Sequence, residues 1–275
     1  MTSHDYRVFG LTVRSELELP ELSGGESSDA PDVCINLGKA GGTVDAAPGI
    51  HADGDALVLI VTDIARFRIA GGSSIVVEPV PGVPERNVRL FLLGSAFGAL
   101  LHQRGLLPLH ANAVEINGKA VAFMGHSGAG KSTLAAWFHD HGFRVLADDV
   151  CVVSLDDEGR AMARTGLPRL RLWAEALDAS GRASADYSRS YIGNAPQDKF
   201  DVPVEPCAWT RDELELGPLY VLEAGPDVSI EPVRGVDAVQ LLFANTYRGK
   251  YVALTGTAVA AGVTYAMRAS SSAAA

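Results

Sequence analysis

The chain has 275 residues, of which 47% are hydrophobic and 20% are charged, and its formal net charge is −10. These values are typical of an ordinary globular protein that is long enough for one large domain or two smaller ones. The acidic balance argues against a nucleic-acid partner, because proteins that bind nucleic acids usually carry a basic stripe on their surface.

The lack of membrane and secretion signals and the pattern of the cysteines both favour a cytoplasmic location. No apolar stretch is long enough to span a bilayer, and the first residues contain no apolar core of a signal peptide, so we expect neither a membrane nor a secreted location. The three cysteines, Cys34, Cys151 and Cys207, are widely spaced and have no metal-binding pattern. We therefore interpret them as reduced, small apolar residues.

The N-terminal third predicts a β-rich domain over residues 1–86. Short runs rich in β-branched and apolar residues are separated by Gly, Asp and Pro, which is the pattern of strands joined by turns. The clearest of these runs cover residues 33–37, 57–61, 65–69 and 74–78.

A helix follows the β-rich segment. Apolar residues recur with helical spacing over residues 87–104 and occupy more than one helical face, which favours a buried helix. We expect residues 87–105 to connect the first domain to a second domain at 106–268. The Ala- and Ser-rich end, 269–275, predicts a disordered tail.

The second domain begins with a hairpin pattern. Asn117-Gly118 is a strong two-residue turn between two apolar runs. Residues 133–138 predict a helix, and Gly142 predicts its end. The remaining elements expected here are strands at 110–116, 119–124, 144–147, 219–223 and 228–232 and a helix at 238–247.

Residues 125–132 read Gly-His-Ser-Gly-Ala-Gly-Lys-Ser, a complete Walker A motif between a predicted strand and a predicted helix. Such a loop binds phosphate through its backbone N–H groups and the helix N-terminus. The lysine would reach the β- and γ-phosphates and the serine would bind Mg²⁺, so we expect ATP and Mg²⁺ as cofactors. The predicted nucleotide-binding residues are Gly125, His126, Ser127, Gly128, Ala129, Gly130, Lys131, Ser132 and Thr133.

Two consecutive acids, Asp148 and Asp149, follow an apolar run, and Asp148 lies 17 residues after Lys131. A buried strand that ends in acids after a phosphate-loop helix is the Walker B pattern, whose carboxylate serves Mg²⁺. Neighbouring residues at a strand end point to opposite sides. One acid can therefore serve the metal while the other faces an incoming nucleophile.

Together, His110 with its hairpin, the Walker A loop and the segment 142–149 resemble the catalytic core of the HPr kinase/phosphorylase family. The spacings of 21 residues from His110 to Lys131 and of 17 residues from Lys131 to Asp148 match that family. The resemblance implies an α/β fold with a P-loop kinase core akin to phosphoenolpyruvate carboxykinase. It also implies transfer of the γ-phosphoryl group of ATP to a protein serine.

The resemblance assigns roles to individual residues. Asp148 would be the general base, and His110 would tune its protonation. Lys131 would hold the phosphates during catalysis. Asp149 would support Mg²⁺ together with Ser132.

The sequence departs from the sugar-regulating members of that family. They usually carry Asp at the position of His126 and Glu at that of Thr133, and their later Gly-rich segment is not found here, so phosphorylase activity is not expected. The segments 170–173, Leu-Arg-Leu-Trp, and 245–248, Asn-Thr-Tyr-Arg, resemble HPr-kinase-like proteins of ribosomal-peptide gene clusters. Some of these phosphorylate the terminal serine of lasso-peptide precursors.

Several readings stay open. The main expectation is a kinase that acts on a serine of a peptide or small protein. The alternatives are a kinase for the HPr phosphocarrier or another protein, a kinase for a hydroxylated metabolite, and an ATP-binding regulatory module with little turnover. A homo-oligomer and a choice of GTP over ATP also stay open. Further candidates for contact with phosphate or substrate, or for ordinary surface roles, are Arg169, Arg171, Lys199 and Arg248.

Overall fold

The structure is a computed structural model that describes residues 3–41, 47–193, 198–210 and 213–255. The described chain is a mixed α/β protein that divides into two compact units. The first unit consists of Met1–Arg104, Arg171–Val202 and the described part of Lys250–Thr257, and the second contains Gly105–Leu170 and Pro203–Gly249.

This division differs from the predicted domain boundaries in three places. The helical segment after residue 86, the segment 171–202 and the described residues from 250 onward all group with the N-terminal strands. The predicted tail at 269–275 lies outside the described residues.

Eight strands form the sheet of the first unit, in the order β3-β1-β2-β4-β8-β7-β6-β5. The strands predicted in this part of the chain are confirmed. Their residues alternate between buried and solvent-facing positions, as in Ala65–Ala70, because one face of the sheet covers a core. The strands are β1 His4–Val8, β2 Leu11–Ser15, β3 Ser23–Gly24, β4 Val33–Leu37, β5 Gly49–Asp53, β6 Ala56–Val61, β7 Ala65–Ala70 and β8 Ser74–Pro79.

The predicted buried helix is confirmed, with one irregularity. It consists of α1 (Glu85–Phe91), a π-helical turn (Leu92–Ala96) and α2 (Phe97–Gln103). Gly94 and Ser95 lie in the π turn, where small side chains leave room for the extra backbone residue. The apolar side chains Leu92, Phe97 and Leu100 are fully buried within the first unit.

The second unit begins with the predicted hairpin. Asn117 and Gly118 both have positive φ values, 51° and 73°, which is the conformation that a tight two-residue turn requires. The elements up to residue 164 are β9 Leu107–Leu109, β10 Ala111–Ile116, β11 Lys119–Met124, α3 Lys131–Asp140, β12 Val145–Ala147, β13 Cys151–Leu155 and β14 Ala161–Arg164.

The remaining elements include a second, smaller sheet in the order β15-β17-β16. The predicted strand at 228–232 is wrong, because its alternating apolar residues have no neighbouring strand and lie exposed. The last helix begins three residues earlier than predicted and ends at Ala244. These elements are β15 Arg169–Trp173, α4 Ala174–Ala179, β16 Ser188–Arg189, β17 Lys199–Pro203, β18 Leu214–Val221, α5 Gly235–Ala244 and α6 Val252–Thr255.

The seven strands of the second unit form a strongly curved sheet in the order β12-β10-β11-β18-β14-β13-β9. Only His110 separates β9 from β10, yet these two strands stand near opposite ends of that order. Likewise, residues 148–150 alone separate β12 from β13. The sheet must therefore curl until its two ends meet, and they meet at these two short breaks.

Each face of this sheet covers its own core. Small residues such as Ala111, Ala113 and Ala122 fill the concave side together with larger aliphatic side chains, which permits the tight curvature. On the other side α3 covers Val114, Val121 and Phe123, and the rings of Phe123 and Phe138 stack with centroids 5.5 Å apart. Burial of each such aromatic side chain stabilises the fold by about 1.5–3 kcal/mol.

The helices in the described ranges are all too short or too polar to cross a bilayer.

Cysteine reactivity offers a test of this fold. Burial raises the pKa of the Cys151 thiol to about 12, so at pH 8 only about one molecule in 10⁴ carries the reactive thiolate. Cys207 is exposed. We expect a maleimide reagent at pH 8 to label Cys207 rapidly and to leave Cys151 unmodified, as read by peptide mass spectrometry. In denaturant both should react, and rapid native labelling of Cys151 would contradict its place in the core.

Candidate active site

Four chain segments of the second unit lie next to one another at one edge of the curved sheet. β10 runs antiparallel to both β11 and β12, so its first residue lies at the same edge as the last residues of those two strands. β18 runs parallel to β11 and ends at this edge as well. His110, Gly125, Asp148 and Leu222 follow or precede these strand ends directly.

The glycine loop, residues 125–130, connects β11 to α3. Gly128 and Gly130 have φ values of 87° and 90°, and a Cβ atom added to either would meet nothing within 4 Å. The loop is therefore open at these positions, as a phosphate requires when it approaches the backbone. Gly125 has a φ of 142°, and a Cβ there would lie 2.8 Å from the carbonyl oxygen of Leu222. Only glycine fits at that position.

Lys131 is the first residue of α3, and it is 93% buried. Its Nζ donates to the carbonyl oxygens of Gly125 at 2.8 Å and His126 at 2.9 Å. The ammonium thus lies inside the loop, at the positive end of the helix dipole. Ser132 and Thr133 follow in the first helical turn, whose N–H groups have no intrahelical acceptor. This arrangement can attract and hold an anion.

The remaining residues of the glycine loop lie between Gly125 and Lys131. His126 is exposed, and its Nδ1 donates to the carbonyl oxygen of Ser127 at 2.7 Å. The N–H of Ala129 donates to the carbonyl oxygen of His126 at 3.2 Å, which closes the turn.

Asp148 lies against the start of α3. Ser132 Oγ donates to Asp148 Oδ1 at 3.1 Å, and Asp148 is buried. A hydroxyl and a carboxylate beside an anion-binding loop are the hard oxygen donors that Mg²⁺ prefers. The sequence prediction paired Ser132 with Asp149, whereas the structure pairs it with Asp148.

No group of three or more His, Cys, Asp or Glu side chains in the described ranges is arranged to hold a metal.

His110 contacts the second acid. Its Nδ1 donates to the carbonyl oxygen of Asp149 at 3.0 Å, and the same nitrogen lies 3.8 Å from Asp149 Oδ1. The bond to a carbonyl places the proton on Nδ1, so in the neutral ring Nε2 is the acceptor. Asp149 has a φ of 71°. Such left-handed backbone is uncommon outside glycine and is concentrated at functional sites.

Two asparagines that the sequence prediction missed contact the two ends of the glycine loop. Asn245 Oδ1 accepts from the N–H of Gly125 at 3.0 Å. Asn112 lies in β10, and its Nδ2 donates to the carbonyl oxygen of Lys131. Asn112 Oδ1 is buried without a hydrogen-bond partner among the described residues, so it is an acceptor for a ligand or a water. Nothing in the strand pattern around Asn112 marked it, but Asn245 lies in the segment noted for its family resemblance.

The four further candidates have separate environments. Arg171 and Lys199 belong to the first unit, where Arg171 Nε lies 3.8 Å from Asp201 Oδ1 and Lys199 Nζ lies 5.4 Å from the ring centroid of Trp173. Arg169 is the first residue of β15. Arg248 Cζ lies 5.4 Å from the ring centroid of Tyr247, and that ring lies 6.2 Å from the imidazole of His110.

A cleft of about 550 Å³ lies elsewhere in the second unit. Arg144 and Glu115 on its wall form an ion pair at 2.6 Å, and Thr210 Oγ1 donates to Glu115 at 3.0 Å. These polar groups already have partners, and Glu115 lies near the far end of β10 from His110. The chemistry-bearing residues are therefore outside this cleft.

Comparison with solved structures finds similarity to the Hpr(Ser) kinase/phosphatase from Coxiella burnetii. The aligned part covers 47% of this chain and 73% of that chain, with 19% sequence identity and a TM-score of 0.29. No family model matches the sequence, and no curated protein matches it.

Gly125 provides a test of the loop geometry. We expect Gly125→Ala to destabilise the protein more than Gly128→Ala, as measured by urea denaturation. Both substitutions place alanine at positive φ, at a cost of about 1–3 kcal/mol. Only Gly125→Ala adds a close contact with a backbone carbonyl, at 2.8 Å. Equal losses would show that the contact with Leu222 does not constrain the loop.

Proposed function

We propose that this protein is an ATP- and Mg²⁺-dependent kinase that transfers the γ-phosphoryl group to a serine hydroxyl. One observation carries the proposal: the glycine loop and two consecutive acids lie at the same edge of one sheet, with Ser132 in contact with Asp148. An ATP-binding module without turnover needs only one acid for the metal. The second acid and its histidine favour catalysis.

The loop and the start of α3 would hold the nucleotide. Backbone N–H groups and the ammonium of Lys131 would bind the phosphates. Ser132 and Asp148 would hold Mg²⁺, which when bound neutralises charge on the phosphate oxygens. We assign Asp148 as the proposed Mg²⁺ ligand, because Asp148 is the acid in contact with Ser132.

Asp149 and His110 would then serve the acceptor. The Asp149 carboxylate would orient the serine hydroxyl and take its proton as the new O–P bond forms, while the bond to the β-phosphate oxygen breaks and ADP leaves. The hydrogen bond from His110 to the Asp149 carbonyl would fix that residue in its left-handed conformation. These roles exchange those expected for Asp148 and Asp149 from the sequence.

A peptide acceptor is favoured by the surface that follows β18. Val228, Ile230, Val233 and Val236 are large apolar residues exposed within one short segment. Residues 227–237 contain three acids, Asp227, Glu231 and Asp237, and one base, Arg234, so the segment is negative overall and an extended peptide with apolar and basic side chains would complement it. Residue 228 is six residues from Leu222 at the loop, a span of at most about 20 Å. We propose a serine near the end of a ribosomal-peptide precursor, as in lasso-peptide pathways, as the first acceptor to test.

The direct test is transfer to peptides. We expect the protein with ATP and Mg²⁺ to add one phosphoryl group to a serine peptide that carries apolar and basic residues, read by mass spectrometry. Lys131→Ala should lower the rate by about 10²–10³-fold, because a charge that stabilises the transferred group is lost.

Lys119→Ala is the matched control, because Lys119 is an exposed lysine of the preceding strand that pairs with Glu215. It should retain the full rate. Nucleotide binding without transfer to any peptide, phosphocarrier protein or hydroxylated metabolite would contradict the kinase proposal.

The roles of Asp148 and Asp149 can be distinguished by how the activity of their variants depends on the Mg²⁺ concentration. If Asp148 holds the metal, Asp148→Asn should raise the Mg²⁺ concentration for half-maximal activity by about 10–100-fold. Asp149→Asn should lower the rate at saturating Mg²⁺ by about 10²–10⁴-fold, because the base is lost, while the Mg²⁺ dependence stays the same. The reverse pattern would restore the roles expected from the sequence.

A further inference from the structure

We infer that Asn245 is a positioning residue for the proposed phosphoryl transfer, through its hold on the first residue of the glycine loop. Asn245 lies 120 residues after Gly125 in the chain and directly follows α5. Its side-chain amide hydrogen-bonds to the backbone of Gly125 and of Leu241. The effect of Asn245 on phosphoryl transfer rests on the proposed function, whereas its contact with Gly125 does not.

The contact is buried and specific. Asn245 Oδ1 accepts from the N–H of Gly125 at 3.0 Å, and Asn245 is 91% buried. Gly125 lies just past Met124, the last residue of β11 that pairs with β10, at the point where the strand becomes the loop. A buried N–H without an acceptor is costly, so the amide oxygen of Asn245 stabilises this turn in the chain.

The amide nitrogen of the same side chain fixes the oxygen in place. Asn245 Nδ2 donates to the carbonyl oxygen of Leu241 at 2.8 Å, in the last turn of α5. The amide plane thus bridges a helix end and the loop. Because both ends of the amide are engaged, the position of Gly125 depends on where α5 ends.

The backbone of Asn245 reaches the other half of the site. The N–H of His110 donates to the Asn245 carbonyl oxygen at 2.7 Å. The following residues continue the contact, with a bridge between Leu109 and Thr246 and an N–H bond from Tyr247 to Pro108 at 2.8 Å. One residue therefore sets the distance between the phosphate loop and the histidine beside Asp149.

If Asn245 had a purely structural role, it would only stabilise the C-terminal end of α5. Thr246 provides the matched control for that role, because it is equally buried and its Oγ1 donates to the Leu242 carbonyl oxygen at 2.9 Å, four residues back. Thr246→Val removes this bond to the helix end and leaves the loop contact intact. Asn245→Ala removes both a bond to the helix end and the bond to Gly125.

The experiment compares Asn245→Ala and Thr246→Val with the wild-type chain in two measurements. Hydrogen exchange of a peptide that covers residues 122–128 reports the Gly125 N–H directly, and we expect faster exchange in Asn245→Ala alone. Titration with Mg²⁺ and ADP should show an affinity about tenfold weaker for Asn245→Ala, the effect of one lost buried hydrogen bond. Thr246→Val should bind like the wild type.

A third variant covers the case in which Asn245→Ala fails to fold. Asn245→Asp keeps the oxygen that accepts from the Gly125 N–H, but it loses the Nδ2 bond to Leu241 and adds a negative charge near the loop. Exchange at residues 122–128 should therefore be faster than in Thr246→Val, and ADP binding should be weaker. Wild-type exchange and affinity in Asn245→Asp, or equal exchange and affinity in Asn245→Ala and Thr246→Val, would overturn the inference. If the wild type binds no nucleotide, the proposed function fails, but the exchange measurement still decides whether Asn245 holds the loop.

Discussion

The antiparallel pairing of β10 with both β11 and β12 is the constraint on which the site depends. A strand between two antiparallel neighbours begins where both of them end. His110 therefore lies beside the glycine loop and beside Asp148 and Asp149, although these segments are far apart in the chain. No side-chain interaction could substitute for this backbone arrangement, because the hydrogen-bond ladder fixes the register of all three strands.

The curvature of the sheet adds a second constraint. Breaks of one residue at His110 and three residues at 148–150 send the chain from one end of the sheet to the other. Short breaks leave little freedom, and Asp149 accordingly adopts a left-handed conformation that most residues avoid. The strain is located where the two breaks meet. The small side chains of Ala111 and Ala113 allow β10 to bend there without a clash in the core.

The charged groups at this edge of the sheet are already held in place in the protein without a ligand. The start of α3 and the ammonium of Lys131 provide positive charge, and Asp148 and Asp149, which follow β12, provide negative charge. Phosphoryl transfer needs positioning and charge neutralisation more than covalent participation by the protein. Contacts of Asn112 and Asn245 with the loop limit its motion from two sides, so little reorganisation is needed when an anion binds.

Short-range patterns in the sequence were sufficient to predict the local elements of this protein. The Asn117-Gly118 turn, the loop at 125–130 and the strand before Asp148 follow from glycine conformation and from apolar patterns that act over a few residues. The folded chain was needed to show which acid contacts Ser132, that His110 lies against Asp149, and that Asn245 holds Gly125. These contacts join segments up to 120 residues apart, and they depend on strand order and sheet curvature, which no short-range pattern encodes. The same reason explains the error at 228–232, where alternation suggested a strand but the fold offers no neighbour to pair with it.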